Sequence, residues 1–204
     1  MPKIPDYDAV SNITNAGYVL GVQNEVVVRF PAETFKGATG NPGATGADGS
    51  AGAAGAFVKR GYTSFSTRLS GTTIIPFDAT IPQNTEGFEV LTLAFTPTSA
   101  TNTLLIEAVI NQSMTITTNG ITALFQDTTV NALAATTSYI TTATAGSNSL
   151  LRYEMVAGTT SSTTFKIRCG PSNACTMYIN GEAALNPWFG GVCYSSLSVT
   201  EYTP

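Results

Sequence analysis

The chain has 204 residues, only 11% of them charged, with a formal net charge of −4, no histidine and three cysteines. With no basic stripe to meet phosphates, the balance argues against nucleic acid as a partner. The missing histidine rules out Ser-His and Cys-His catalysis within one chain. Threonine occurs 33 times, and a Thr-, Ser- and Gly-rich chain with little Lys or Glu favours strands and turns over helices.

Residues 1–36 read as an anchoring segment too short to bury a core of its own. The opening, MPKIPDYDAV, has no apolar stretch of signal-peptide length behind its lysine. Two strand-like runs follow, Tyr18–Val22 and Glu25–Phe30, joined at Gln23-Asn24 as a tight hairpin. The apolar residues Tyr18, Val19, Leu20, Val26, Val27, Val28 and Phe30 are the candidate docking residues. Pro31 suits the first position of a single helical turn over residues 31–35. An isolated hairpin is marginal in water, so this one is expected to pack against its own copies or a larger body.

Residues 37–57 carry glycine at every third position: Gly37, Gly40, Gly43, Gly46, Gly49, Gly52 and Gly55. A strict period of three is the mark of a collagen-like triple helix, because only a residue without Cβ fits at the axis where three chains meet. A flexible linker would place the same glycines anywhere. The block is therefore expected to form a rod of roughly 60 Å in a homotrimer. Its one proline, Pro42, falls far below the imino-acid content of a self-sufficient triple helix. Trimeric clamps on either side are needed to keep it closed.

From residue 58 to residue 204 the sequence breaks into short β-like runs. Strands are expected at Ser64–Leu69, Phe88–Phe95, Thr103–Ile110, Ile121–Gln126, Ser138–Thr142, Leu150–Val156, Thr164–Cys169, Cys175–Asn180 and Val192–Tyr202. Phe165, Ile167 and Cys169 alternate with Lys166 and Arg168, a strand with one wet face. Turn signals fall at Thr118-Asn119-Gly120, Ala145–Asn148 and Ile179–Gly181. The fold class is thus mainly β: a hairpin anchor, a short triple helix and a C-terminal antiparallel β-sandwich of jelly-roll type that trimerises. No run approaches the roughly 18 apolar residues of a membrane span, so no membrane insertion is expected.

No catalytic constellation stands out, and neither a cofactor nor a metal site is expected. The carboxylates Asp78, Glu86, Glu89, Glu107, Asp127, Glu154, Glu182 and Glu201 are scattered one per strand or turn, without the pairing that glycan cleavage uses. Glu107 is expected to pair with Arg152 or Arg168 near the trimer axis. The cysteines Cys169, Cys175 and Cys193 read either as small buried side chains or, for the first two, as the ends of a small disulfide loop. Binding is the more plausible chemistry. The candidate receptor-binding residues are Tyr178, Asn180, Asn186 and Trp188, an aromatic and amide set; Trp188 reads alternatively as a plug of the core or seam.

Several stretches carry a resemblance: Thr80–Gly87, Thr96–Asn102, Ala123–Asp127, Tyr153–Thr160 and Phe189–Val192, with the weaker Tyr18–Phe30. In wording they resemble bacteriophage collagen-linked trimeric fibre proteins. In layout, a collagenous stretch leading into a β head, the chain is similar to complement and tumour necrosis factor-like trimers. The three cysteines and Asn186-Pro187-Trp188 are not part of the fibre pattern. The resemblance implies a homotrimeric virion fibre, made in the host cytoplasm. Residues 1–36 would attach to a phage tail or capsid protein, and the head would meet a host-surface glycan or protein. Tail fibre and capsid head fibre are equally compatible with it. A collagen-like cell- or spore-surface protein and a glycan depolymerase are the more distant alternatives.

Overall fold

A computed structural model of the chain describes residues 18–23, 26–31, 43 and 54–204, which belong to two compact units, Met1–Gly49 and Ser50–Pro204. In the first unit, Tyr18–Gln23 (β1) and Val26–Pro31 (β2) pair antiparallel, in register from Tyr18↔Pro31 to Gln23↔Val26. All seven candidate docking residues lie on these two strands. Pro31 ends β2, and the rest of the helical turn expected over residues 31–35 lies outside the described residues. Gly37, Gly40, Gly46, Gly49 and Gly52 lie outside the described residues, as do residues 32–35. Gly43 is exposed, and Gly55 sits in a turn at φ 72 with its N–H donating to Thr203 O at 3.1 Å.

The second unit is a two-layer β-sandwich. Its strands are β3 (Phe57–Phe65), β4 (Leu69–Gly71), β5 (Phe88–Phe95), β6 (Thr103–Met114), β7 (Thr118–Gln126) and β8 (Ala134–Ile140). After them come β9 (Ser147–Val156), β10 (Thr163–Pro171), β11 (Met177–Ile179) and β12 (Ser195–Tyr202). One sheet runs β5-β10-β7-β8; the other runs β3-β12-β6-β11-β4, with β9 also on β6. Setting aside the short β4 and β11, eight strands remain, and they pair as nested antiparallel rungs: β3 with β12, β5 with β10, β6 with β9 and β7 with β8. That nesting is a jelly roll.

The core lies between the sheets, and period-two alternation builds it. On β6, Leu104, Ile106, Ala108 and Ile110 turn inward; Leu197 and Val199 do so on β12, and Phe165, Ile167 and Cys169 on β10. β7 is buried on both faces. Leu124 joins the main core, while Ile121, Ala123 and Phe125 pack outside it under Ile75. The covering segment, residues 72–87, is tied down by Arg168, whose guanidinium donates to Glu86 O and Gly87 O at 2.7 Å each. Arg168 is therefore not a partner of Glu107. Register sets Glu107 directly across from Arg152, yet the ion pair found among the described residues is Lys59–Glu201.

Some expected boundaries move for identifiable reasons. The strand expected at Ser64–Leu69 is instead a corner between β3 and β4, because β3 is recruited by β12 along Phe57–Phe65. Thr118-Asn119-Gly120 is not a turn but the start of β7. There Gly120 leaves room for Met114 and Met177, whose methyl carbons would stand 2.7 and 2.9 Å from a Cβ. β6 continues past Ile110 because β9 pairs with it as far as Gln112 and β11 then pairs with Gln112, Ser113 and Met114.

One buried charge locks the end of the roll. Glu201, on β12, is fully buried. Its Oε1 accepts from the Thr98 amide and hydroxyl and from Asn102 Nδ2, all at 2.7 Å, and from the Ser99 amide at 3.3 Å. Lys59 Nζ stands 4.0 Å from Oε2 and also donates to Thr96 O. The carboxylate thereby fixes the β5–β6 connection against the last strand. Burial alone would raise its pKa, but the hydrogen bonds from Thr98, Asn102 and Ser99 outweigh it and hold the carboxyl below the ordinary glutamate value.

A group whose pKa is depressed in the folded state stabilises the fold above its unfolded pKa, and that contribution is lost as pH falls through the folded pKa. Glu201→Gln should cost about 2 kcal/mol at neutral pH. In urea denaturation, the gap between wild type and variant should narrow as the pH is lowered below roughly 4.3. A gap independent of pH would contradict the assignment.

Candidate binding site at the far end of the head

Strand register defines two ends of the head. Phe57 pairs with Tyr202 and Phe65 with Ser195, while Thr103 also pairs with Tyr202. Chain entry and C-terminus therefore share one end, where Thr203 N–H donates to Ala56 O at 2.9 Å. The β3–β4 corner, the β8–β9 connection and the long β11–β12 connection gather at the other. The eight residues of β12 separate the ends by roughly 25 Å.

The β11–β12 connection is organised around Asn180. This residue is fully buried and holds φ 55, a conformation that asparagine tolerates better than most residues. Its Nδ2 donates to Phe65 O at 2.8 Å and Thr67 O at 3.5 Å, and its Oδ1 accepts from the Ser195 hydroxyl at 2.8 Å. Its amide donates to Asn111 O and its carbonyl accepts from Trp188 N–H. Ser113 Oγ donates to Gly181 O at 2.8 Å, and Arg68 Nη1 donates to Glu182 O at 2.9 Å. The Arg68 guanidinium lies 5.2 Å from the centre of the Tyr178 ring.

These contacts sort the four candidates. Asn180, read from the sequence as a receptor contact, is corrected to a buried knot whose side chain is committed on three sides. Tyr178 lies half-buried on β11 under Arg68. Asn186 is exposed and precedes Pro187 through a cis bond, outside the cavity lining. Of the four, Trp188 lines the cavity at this end. Its half-buried indole rests on Gly146, where a Cβ would stand 3.1 Å from the ring.

That cavity encloses about 490 Å³ and is lined by Asn111, Thr144, Gly146, Asn148, Glu182, Leu185, Trp188, Phe189 and Cys193. Register places Asn111 directly opposite Asn148. Asn111 Nδ2 donates to Tyr194 O at 2.6 Å. Among the described residues, Asn111 Oδ1, the Asn148 amide and the Glu182 carboxylate have no hydrogen-bond partner. A second groove, of about 430 Å³, lies beneath residues 76–82; its carboxylate, Asp78, is already bound by the amide and hydroxyl of Thr80.

The three cysteines are free. Burial pushes the Cys169 thiol up to about 12, despite a Thr122 contact, and burial also raises Cys175 and Cys193. Among the described residues, no group of three His, Cys, Asp or Glu side chains is placed to hold a metal ion.

No protein-family model matches this chain, nor does any curated protein. Among solved structures, the chain is similar to the structure of Eiger TNF from S. frugiperda, at 11% identity and a TM-score of 0.40, over 71% of this chain and 92% of that one. It is also similar to the structure of infectious bursal disease virus Gx strain, at 8% identity and a TM-score of 0.32. That match covers 91% of this chain but 41% of the viral one. At these values the jelly-roll assignment rests on this chain's own strand pairing.

If Asn180 is the knot of the connection, Asn180→Ala should lower stability by about 2–3 kcal/mol and speed hydrogen exchange across residues 181–194. Asn186→Ala should stay within about 0.5 kcal/mol of wild type. Equal effects from the two would refute the division of roles.

Proposed function

We propose that this protein is a homotrimeric structural fibre of a phage particle, attached through residues 1–36 and presenting the far end of its head to the host surface. The observation that carries this reading is the polarity of the head. The chain leaves its glycine-repeat block and enters the head at one end, and the cavity with its unpartnered polar groups lies at the other.

The outward face of the β3-β12-β6-β9 layer supports the trimer. It carries Tyr62, Val109, Leu150 and Val156 as exposed large side chains, Leu150 at 66% and Val156 at 60%. Register sets Val109 directly opposite Leu150, an exposed apolar pair, while Tyr62 and Val156 stand further along the same face beyond Glu107, Arg152 and Glu154. Large apolar side chains exposed on one sheet face in this way support an interface there. The glycine period specifies how many chains share it, since a triple helix needs three. Glu107 and Arg152, side by side on that face without an ion pair, are placed to meet opposite charges on a neighbouring copy.

Attachment by such a fibre is positioning and multivalency, with no covalent step. Three heads per fibre and many fibres per particle raise avidity by roughly 10² to 10⁴ over a single site. Purified full-length protein should therefore coat host cells and slow adsorption of the particle. Absence of both effects would reduce the protein to a decoration of the virion.

A further inference from the structure

The far-end cavity has a composition that specifies a ligand class. Resting on the reading that this end meets the host surface, we infer that the cavity binds the terminal residue of a neutral glycan, a hexose, 6-deoxyhexose or N-acetylhexosamine ring, stacked on Trp188.

A pyranose ring has an apolar C–H face and an equatorial belt of hydroxyls, each both donor and acceptor. The apolar face needs a flat, fixed aromatic. Trp188 is fixed from two directions: its backbone N–H is bound to Asn180 O at 3.0 Å, and its indole rests on the bare backbone of Gly146. Any larger residue at 146 would push against the ring. The hydroxyl belt needs acceptors and donors that are not already satisfied. Asn111 Oδ1 and the Glu182 carboxylate supply acceptors, and the Asn148 amide supplies both kinds. The set is anchored on structure that does not have to form on binding: Asn111 and Asn148 face each other across paired strands, and Glu182 sits in the segment tied down by Arg68. Such preorganisation lowers the ordering cost of binding. The volume, about 490 Å³, falls within the range of small-molecule sites.

Charge decides which sugars are admitted. Glu182 is the charged residue of the lining, and no lysine or arginine joins it. A uronic acid, sialic acid or phosphorylated sugar would bring a second negative charge beside that carboxylate with no cation in the lining to offset it, the nearby Arg68 being committed to the Glu182 and Ala183 carbonyls. Neutral rings meet no such penalty. Exposed Leu185 and Phe189, at 57% and 81%, form an apolar rim on which a following residue of the glycan can lie.

The test exploits a property of the sequence: Trp188 is the sole tryptophan, so emission of the full-length protein excited at the red edge, where its eight tyrosines do not absorb, reports on this cavity alone. Neutral hexoses, 6-deoxyhexoses and N-acetylhexosamines are titrated beside glucuronic acid and N-acetylneuraminic acid, with iodide quenching as a second readout. At least one neutral sugar should change the emission saturably and protect Trp188 from iodide. Glu182→Gln and Asn148→Ala should each weaken that response about tenfold or more with the emission of the free protein unaltered. Gly146→Val should shift the free emission and abolish the response. No saturable response to any neutral sugar, or a stronger response to the acidic ones, overturns the inference. If cells are coated while no sugar moves the emission, the cavity assignment fails and the adhesive reading stands. If a neutral sugar binds but cells are not coated, the adhesive reading fails and the site stands.

Discussion

Strand β12 holds the sandwich together. β12 lies between β3 and β6, so the first strand of the sandwich has no paired neighbour until β12 is in place. Leu197 and Val199 complete the core from this strand, and Glu201 at its end binds the β5–β6 connection through four hydrogen bonds. Pairing across so much sequence delays the reward for loop closure, and topologies of this kind fold slowly. Closure by β12 also fixes the polarity of the head, because it returns the chain to the end at which it entered.

The same strand shapes the outward face of its sheet. Ser196, Ser198 and Thr200 pair with Val109, Glu107 and Leu105 of β6, and Ser198 and Thr200 retain only 4% and 6% exposure under their larger neighbours. Small hydroxylated residues along the middle, with Tyr62 on one side and Leu150 and Val156 on the other, make a surface against which another sheet can pack closely. In the proposed trimer this face is the seam. In that trimer, seven glycine triplets with one proline would make only a weak triple helix, so the head would supply association and the repeat would record its stoichiometry. Glu107 and Arg152 then gain partners across the seam, whereas within one chain they stand unpaired.

How much of this was legible in the sequence depended on whether the deciding contact was local. The alternation of Phe165, Ile167 and Cys169 with Lys166 and Arg168 identified a half-buried strand correctly, since side-chain period needs no partner to be read. β3 was missed because Lys59, Arg60 and Gly61 dilute its pattern, and its partner lies at the other end of the chain. Thr118-Asn119-Gly120 looked like a turn, but Gly120 answers to Met114 and Met177, neither of them a sequence neighbour. Trp188 could be picked out as the single tryptophan of the chain. Asn111 and Asn148 could not, because only the β6–β9 register brings them together. Asn180 was assigned to the wrong task for the converse reason: an asparagine next to a glycine reads as an exposed turn, and its burial depends on carbonyls at Phe65 and Thr67.

The most direct test of the account is the native mass of the full-length protein and of Leu150→Arg by sedimentation. The wild type should sediment at three times the mass of one chain. Leu150→Arg, which places a charge on the exposed Val109–Leu150 pair of the proposed seam, should dissociate to monomers that keep their β circular dichroism spectrum. A monomeric wild type, or a Leu150→Arg variant that remains a trimer as stable as wild type, would contradict it.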